Sequence, residues 1–201
     1  MRTRSLRDAS PIPAPHRTVA RPRLLRRLDA AARGKLTLVA GPQGCGKSTL
    51  LAQWASTRRD LGALLSFEHV AGASELAALL VTPLERLTPA LVDLQLWSGE
   101  TGDVALGDEF LARLTECYDS LPETVVVLDC LDGLDSLALR EEVLAFIART
   151  APQIHFVVAV RSQRAVPQVA RDIQLRNDVA YVDEGDLLFD HDEARDLLRR
   201  E

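Results

Sequence analysis

The stretch that decides the fold is GPQGCGKS at residues 41–48, directly after the apolar run KLTLVA at residues 35–40. It matches the phosphate-binding pattern G-x-x-x-x-G-K-[ST] at every fixed position. Glycines let the backbone curl so that successive N–H groups face one anion, and a helix starting at the loop adds its positive end. The apolar residues after the loop have helical spacing. A strand, a phosphate-binding loop and a helix are therefore predicted in that order.

The side chains of this loop predict a nucleotide as the ligand. Lys47 supplies a mobile positive charge for the β- and γ-phosphates. The Ser48 hydroxyl is a candidate ligand of Mg²⁺, and Thr49 follows it toward the α-phosphate. The predicted nucleotide-binding residues of the loop are Gly41, Gln43, Gly44, Cys45, Gly46, Lys47, Ser48 and Thr49.

Four further apolar runs alternate with helical segments along the chain. The runs cover residues 63–68, 124–129, 155–160 and 179–182. They are continuous rather than alternating, which is typical of strands covered on both faces in a parallel sheet. Helical spacing predicts helices over residues 48–59, 75–87, 108–121 and 137–150, and a capped helix from about His191, with residues 88–107 as a surface loop. The alternation indicates an α/β layered fold.

Two of the predicted strands deliver a charged residue to the edge where ligands bind in such sheets. Asp129 ends the run 124–129 and is predicted to hold Mg²⁺ together with Ser48. Arg161 follows the run 155–160 and is a candidate for contacting the γ-phosphate. Lys47, Asp129 and Arg161 are thus the predicted catalytic residues, and Ser48 and Asp129 the predicted metal ligands.

Composition and charge narrow the class of protein. The 201 residues are 47% hydrophobic and 26% charged, as in globular proteins, which excludes collagen-like and wholly disordered chains. Residues 1–27 carry eight Arg and one Asp, a net +7, so the remainder of the −5 chain carries −12. The acidic body gives no support for nucleic-acid binding. Neither a secretion signal nor an apolar run of the ~20 residues that span a membrane occurs, so we expect a cytoplasmic protein with reduced cysteines.

Several segments resemble the MalT-like regulators, which are LuxR-type transcription factors of the STAND class (signal-transduction ATPases with numerous domains). The resemblance runs from about residue 17 to the end. It rests on the phosphate-binding loop and its flanks, and on RPRLL at 21–25, LSFE at 65–68, VLD at 127–129, VRS at 160–162 and DLLF…EA at 186–194. It implies a three-layer, AAA+-like P-loop NTPase core with five parallel strands in order 5-1-4-3-2, binding ATP or ADP with Mg²⁺.

The resemblance also implies residue roles and a domain organisation. Arg21, Pro22 and Arg23 fall in the segment that lies beside the adenine, Asp129 is the Walker B acid, and Arg161 is the sensor arginine. The implied divisions are a flexible basic leader (1–16), the NTPase domain (17–185) and the start of a helical lid (186–201). The family continues with sensor and helix-turn-helix domains, so this chain is either a fragment or a short relative. ATP-dependent self-association is a further expectation.

One departure from the family bears on hydrolysis. The family usually has a second acid after the Walker B aspartate, and here that residue is Cys130. A neutral thiol does not polarise the attacking water as a carboxylate does, so slow or absent hydrolysis is expected. Asp132 and Asp135 are candidate substitutes between which the sequence does not decide. Cys45 stands where the family often has an aromatic residue, and packing is its expected role.

Three functions remain open on the sequence alone. The favoured one is a nucleotide-dependent switch module of a multidomain regulator, which predicts tight nucleotide binding with little turnover. A free-standing P-loop ATPase or small-molecule kinase would instead transfer phosphate to water or to an acceptor. An interaction module acting through the acidic surface would bind partners independently of Lys47. The absence of an N-K-x-D segment favours adenine over guanine.

Overall fold

The structure is a computed structural model that describes residues 18–87, 105–162 and 179–199. The predicted basic leader and most of the predicted loop 88–107 lie outside the described residues. Within the described ranges, no helix is long and apolar enough to cross a membrane. The elements are α1 (Pro22–Ala31), β1 (Leu36–Ala40), α2 (Lys47–Ser56), β2 (Leu61–Ser66), α3 (Ala73–Leu87), α4 (Asp108–Asp119), β3 (Thr124–Asp129), α5 (Leu137–Arg149), β4 (Ile154–Val160), β5 (Val179–Val182), α6 (Glu184–Leu187) and α7 (His191–Leu198).

The strands of the described ranges form one parallel sheet of five strands in the order β2-β3-β4-β1-β5. Read from the other edge, this is the predicted order 5-1-4-3-2, so the predicted fold class is confirmed. Parallel neighbours need crossovers, and the helices between strands supply them on both faces of the sheet. The arrangement places the carboxyl ends of β1, β3 and β4 side by side.

Two hydrophobic clusters cover the two faces of the sheet. One joins α3, α4 and α5 to strand residues such as Leu38, Val126 and Phe156. The other joins α1 and α2 to alternate strand residues such as Val39 and Val127. Successive residues of one strand face opposite sides, so both sets must be apolar and the strands read as continuous apolar runs. The three layers of the predicted core follow from this burial.

Helix α1 was not predicted, although the sequence holds its signals. Pro22 is the first helical residue, where its fixed φ and missing N–H cost nothing. Leu24 and Leu28 are four residues apart and both fully buried, so the apolar stripe of the helix faces the core. The segment RPRLL is therefore the start of a packed helix as well as a family signature.

Strand β2 starts and ends two residues earlier than predicted. The run was predicted over residues 63–68, and the strand covers Leu61–Ser66. Its partner β3 sets this register: the N–H of Val125 donates to Asp60 O at 2.8 Å, and the pairing shifts between Leu61 and Ala63. Glu68 consequently lies beyond the strand.

A buried histidine joins β4 to β1. Nδ1 of His155 donates to Gly34 O, and Nε2 lies 3.1 Å from the Thr37 hydroxyl, which donates to it when the ring is neutral. His155 is 4% exposed. Burial is the main cause that lowers its pKa to about 4, and the positive charges of Arg58 and Lys35 add to it, against the Gly34 bond and Asp60.

The free energy of unfolding is therefore expected to decrease as the pH is lowered below about 6.5, because of His155. An imidazole with an ordinary pKa near 6.5 when unfolded takes up a proton between pH 6.5 and 4, whereas the folded ring does not. The neutral ring stabilises the fold fully above pH 6.5. About 3 kcal/mol of the free energy of unfolding is lost when the pH reaches 4. Urea unfolding between pH 7.5 and 4.5 measures this slope.

His155→Gln removes the titrating ring and should flatten the slope. The matched control His69→Gln removes an exposed imidazole, which meets solvent in both states, and should keep the wild-type slope. Equal slopes in wild type and His155→Gln would contradict the assignment.

Candidate functional site

A groove of about 250 Å³ opens between the phosphate-binding loop and the carboxyl ends of β3 and β4. It brings together most of the residues predicted from the loop with Asp129 and Arg161. It also contains three residues outside the predicted site set. Its walls are formed by Gln43, Gly44, Gly46, Lys47, Ser48, Thr49, Glu68, Asp129, Cys130, Asp132 and Arg161.

The loop has the backbone shape that anion binding requires. Gly44 and Gly46 lie at φ +83° and +86°, a region that a side chain disfavours. Open space surrounds both, so the dihedral angle, and not crowding, is what requires glycine there. Helix α2 begins at Lys47, which leaves the first N–H groups and the positive helix end at the groove. The backbone at this end of the groove therefore favours binding of an anion such as a phosphate group.

Lys47 is held by the loop itself. Its Nζ donates to Gly41 O at 2.6 Å and to Pro42 O at 2.9 Å, and lies 3.7 Å from the Cys45 sulfur. These carbonyls neutralise no charge, so the ammonium keeps its attraction for an anion in the groove.

Ser48 and Asp129 meet as a pair. The Ser48 hydroxyl hydrogen-bonds the Asp129 carboxylate, which is 4% exposed. Burial is the main cause that raises the Asp129 pKa, while the bonds from Ser48 and the Cys130 backbone and the charge of Lys47 oppose it. A hydroxyl and a carboxylate oxygen are the hard donors that Mg²⁺ prefers, with phosphates and water completing the shell. The pair therefore fits Mg²⁺.

Arg161 lies between two residues of the turn that follows β3. Its Nε is 3.3 Å from Asp132 Oδ2, and its guanidinium hydrogen-bonds the Cys130 thiol. Burial is the main cause that raises the Cys130 pKa, with the neighbouring carboxylates adding to it, so the thiol stays protonated at neutral pH.

A second pocket of about 530 Å³ adjoins the groove on the other side of Arg161. Gly41 lines this pocket and not the groove. Its remaining walls come from the ends of β1 and β4 and from the start of α6. They are Ala40, Arg161, Ser162, Asp183, Glu184 and Gly185. Arg161 is thus shared by both cavities.

The predicted adenine-side residues face the C-terminal part of the described chain. Arg21 is buried and donates through Nε and Nη2 to Glu193 Oε2, at 3.2 and 3.0 Å. Arg23 Nη2 donates to Asp186 O at 2.7 Å. Pro22 opens α1 between them, and none of the three lines either cavity. Their contact with adenine remains a prediction. Cys45 packs against the core cluster of α1 and α2.

Four residues of this region lie outside the predicted site residues. Glu68, Cys130 and Asp132 line the groove, and Glu193 is the buried partner of Arg21. The sequence named Asp132 only as one of two candidate substitutes for the missing second acid. Glu193 gives a helix-capping signal only, because its pairing with Arg21 spans 172 positions.

Comparison with known proteins gives relatives by sequence. No protein-family model matches the chain. Over 189 residues the chain is 25% identical to the HTH-type transcriptional regulator MalT of Klebsiella pneumoniae, in two strains. The match covers 90% of this chain and 20% of each regulator, so the chain spans about a fifth of the length of these relatives.

Two solved structures share the fold. A signal transduction ATPase with numerous domains from Pyrococcus horikoshii, which has a tetratricopeptide repeat sensor, superposes with a TM-score of 0.57 and 18% identity, over 93% of this chain and 26% of that one. A Walker-type ATPase of Pyrococcus abyssi gives 0.54 and 19%, over 90% and 57%. The chain is thus similar in sequence to the MalT regulators over a fifth of their length, and it shares the fold of these two ATPases.

Proposed function

We propose that the chain is the ATP- and ADP-binding switch module of a multidomain LuxR-type transcriptional regulator, with slow or absent ATP hydrolysis. The observation that carries the proposal is the one groove in which Lys47, the hydrogen-bonded pair of Ser48 and Asp129, and Arg161 meet. The similarity to MalT supports the regulatory setting. A cytoplasmic location, sensor and helix-turn-helix domains elsewhere in the polypeptide, ATP-dependent self-association and no DNA contact by this segment belong to the same proposal.

The groove supplies each interaction that a nucleoside triphosphate needs. Lys47 and the N–H groups at the start of α2 would hold the phosphates. Ser48 and Asp129 would hold Mg²⁺, whose charge neutralises that of the phosphates. Arg161 would contact the terminal phosphate, which only ATP carries.

The contact between Arg161 and Asp132 gives the module a means of telling ATP from ADP. A γ-phosphate would bind the Arg161 guanidinium while its Nε stays beside Asp132, whereas ADP has no phosphate at this position. A ligand shifts a conformational equilibrium only by its differential affinity for the two states. A switch of this kind needs the γ-phosphate to last, which slow hydrolysis provides.

Lys47→Ala is expected to weaken ADP and ATP binding about 100-fold, or ~2.7 kcal/mol, because it removes the mobile charge from the phosphate end of the groove. Titration with a fluorescent ADP in the presence of Mg²⁺ measures the dissociation constant. The matched control Arg59→Ala removes an exposed cation that does not line the groove and should bind as wild type does.

The same preparations test the alternatives. Binding that survives Lys47→Ala would contradict the nucleotide site and favour an interaction module. Phosphate transfer from ATP to a small acceptor would favour a kinase. Robust multiple turnover by the wild-type chain would contradict the slow-hydrolysis part of the proposal.

A further inference from the structure

The chain reverses direction immediately after β3. Cys130 lies at φ +61°, in the left-handed region that non-glycine residues rarely adopt, and the 3-10 turn Leu131–Gly133 follows. The Gly133 N–H closes this turn on Cys130 O at 2.8 Å. A Cβ at Gly133 would lie 2.8 Å from Phe67 O, so the turn is pressed against the end of β2. This path returns Asp132 to the groove that Asp129 lines.

The two carboxylate oxygens of Asp132 have different surroundings. Oδ2 accepts from the Arg161 backbone N–H at 3.3 Å and lies 3.3 Å from its Nε. Oδ1 is buried, and no donor among the residues that the structure describes reaches it. The side chain as a whole is only 11% exposed. Buried polar atoms normally have a partner, and this unpaired oxygen belongs to a side chain that lines the groove, so we expect a donor to reach it when a ligand binds.

Other candidate acids near the groove are less well placed. Residue 130 is a cysteine, so no carboxylate follows Asp129 directly. Asp135 is exposed and does not line the groove. Glu68 does line the groove, but it is exposed and lies two residues beyond the end of β2, whereas Asp132 is 11% exposed and lies against Arg161.

We propose that Asp132 is the catalytic base for ATP hydrolysis, in place of the acid that Cys130 lacks; this rests on the nucleotide binding proposed above. Oδ1 accepts a proton from the attacking water, while Arg161 holds Oδ2 and positions the carboxylate. The water oxygen bonds to the γ-phosphorus as the bond from that phosphorus to the β–γ bridging oxygen breaks. The proton passes to Asp132 and then to the released phosphate, leaving ADP.

Asp132→Asn is expected to slow hydrolysis of bound Mg²⁺-ATP about 100-fold, within the range typical of a lost general base. The amide keeps the size of the side chain and an oxygen for Arg161, but it cannot take the proton. Single-turnover phosphate release from the full chain measures the rate. The matched control Asp135→Asn should hydrolyse as wild type does.

A binding measurement gives a readout independent of turnover. ADP with aluminium fluoride and Mg²⁺ mimics the phosphoryl group in transfer, and a transition-state mimic is held by groups that act in that state. The wild-type chain should gain more thermal stability from this mixture than from ADP and Mg²⁺ alone. Asp132→Asn should lose the extra gain and keep the gain from ADP. Adding Cys130→Asp to Asp132→Asn should restore part of the hydrolysis rate, because aspartate tolerates the left-handed backbone.

Failure of the base role and failure of the nucleotide site give different results. No nucleotide binding by the wild-type chain would overturn both. Nucleotide binding with a hydrolysis rate no higher than that of Lys47→Ala would overturn the role of Asp132 alone. A rate that falls with Glu68→Gln or Asp135→Asn and not with Asp132→Asn would also overturn it. So would an Asp132→Asn chain that loses affinity for ATP relative to ADP at an unchanged rate, since Asp132 would then only hold Arg161.

Discussion

Glu193→Ala is expected to lower the stability of the domain by about 3–5 kcal/mol, the usual cost of removing one member of a buried ion pair. Arg21 and Glu193 are 6% and 5% exposed. Without the carboxylate, the contacts of the guanidinium within the described part of the chain are Leu188 O at 2.8 Å and the Phe189 ring at 4.5 Å. Glu193 Oε2 also accepts from Asp190 N at 3.1 Å, so that half of the capping box of α7 is lost, while the Asp190 side chain still caps the helix.

Urea denaturation measures this loss if α7 unfolds together with the rest of the fold. Amide hydrogen exchange of α7 measures it if the helix opens by itself. The control Asp192→Ala removes an exposed pair with Arg195 from the same helix and should cost at most about 0.5 kcal/mol. Arg21→Met should cost as much as Glu193→Ala. The double variant Arg21→Met with Glu193→Leu should recover part of the loss, because apolar residues leave no buried charge. Unchanged unfolding and exchange in Glu193→Ala would contradict the assignment.

Phe156→Ala is expected to cost about 3–5 kcal/mol, as deletion of a buried aromatic ring typically does. The ring is fully buried in β4 and lies between two others, with centroids 5.7 Å from Phe146 and 6.3 Å from Tyr118. Lys35 Nζ lies 5.6 Å from the ring centre. Removal of the ring leaves a cavity at the joint of β4, α4 and α5.

The measurement is the urea midpoint at an unchanged denaturant slope, because an altered slope would report a change in the unfolded or folded state instead. Phe156→Leu keeps most of the apolar volume and should cost clearly less. The control Leu137→Ala truncates an apolar side chain that is 59% exposed and should change little. A loss below about 1 kcal/mol for Phe156→Ala would show that the core closes over the cavity.

The sequence was sufficient for the parts of the fold that depend on local patterns. The phosphate-binding loop and the continuous apolar strands predicted the sheet and, with the family resemblance, its order. The runs at β3 and β5 have the predicted bounds. Prediction from local patterns was wrong where pairing with a segment distant in sequence sets the bounds of an element. Strand β2 is the example, since its register is set by Val125. Most of the predicted loop residues, with Asp129 and Arg161, line one groove, whereas Gly41 and Cys45 do not. The chemical roles of all of them remain predictions.

Other contacts were beyond local reasoning for the same reason. No role was predicted for Lys35, whereas its Nζ donates to Ala151 O at 2.8 Å and to the Thr150 carbonyl, just beyond the end of α5. The basic residues before α1 and within it were counted as a charge asymmetry. No pattern in the sequence shows that Arg21 and Glu193 meet across 172 positions.

The arginines of α1 and the acids of residues 186–193 also respond unequally to ionic strength. Arg27 and Asp186, 2.8 Å apart, and Arg23 and Asp190, 3.9 Å apart, form a solvent-facing rim in which both arginines are more than 40% exposed. Counter-ions screen such pairs over about 8 Å at physiological salt, whereas a buried pair such as Arg21 with Glu193 is screened much less. Added salt therefore weakens the exposed pairs before the buried one, and the arginines of α1 act as counter-charges for the acidic residues 186–193.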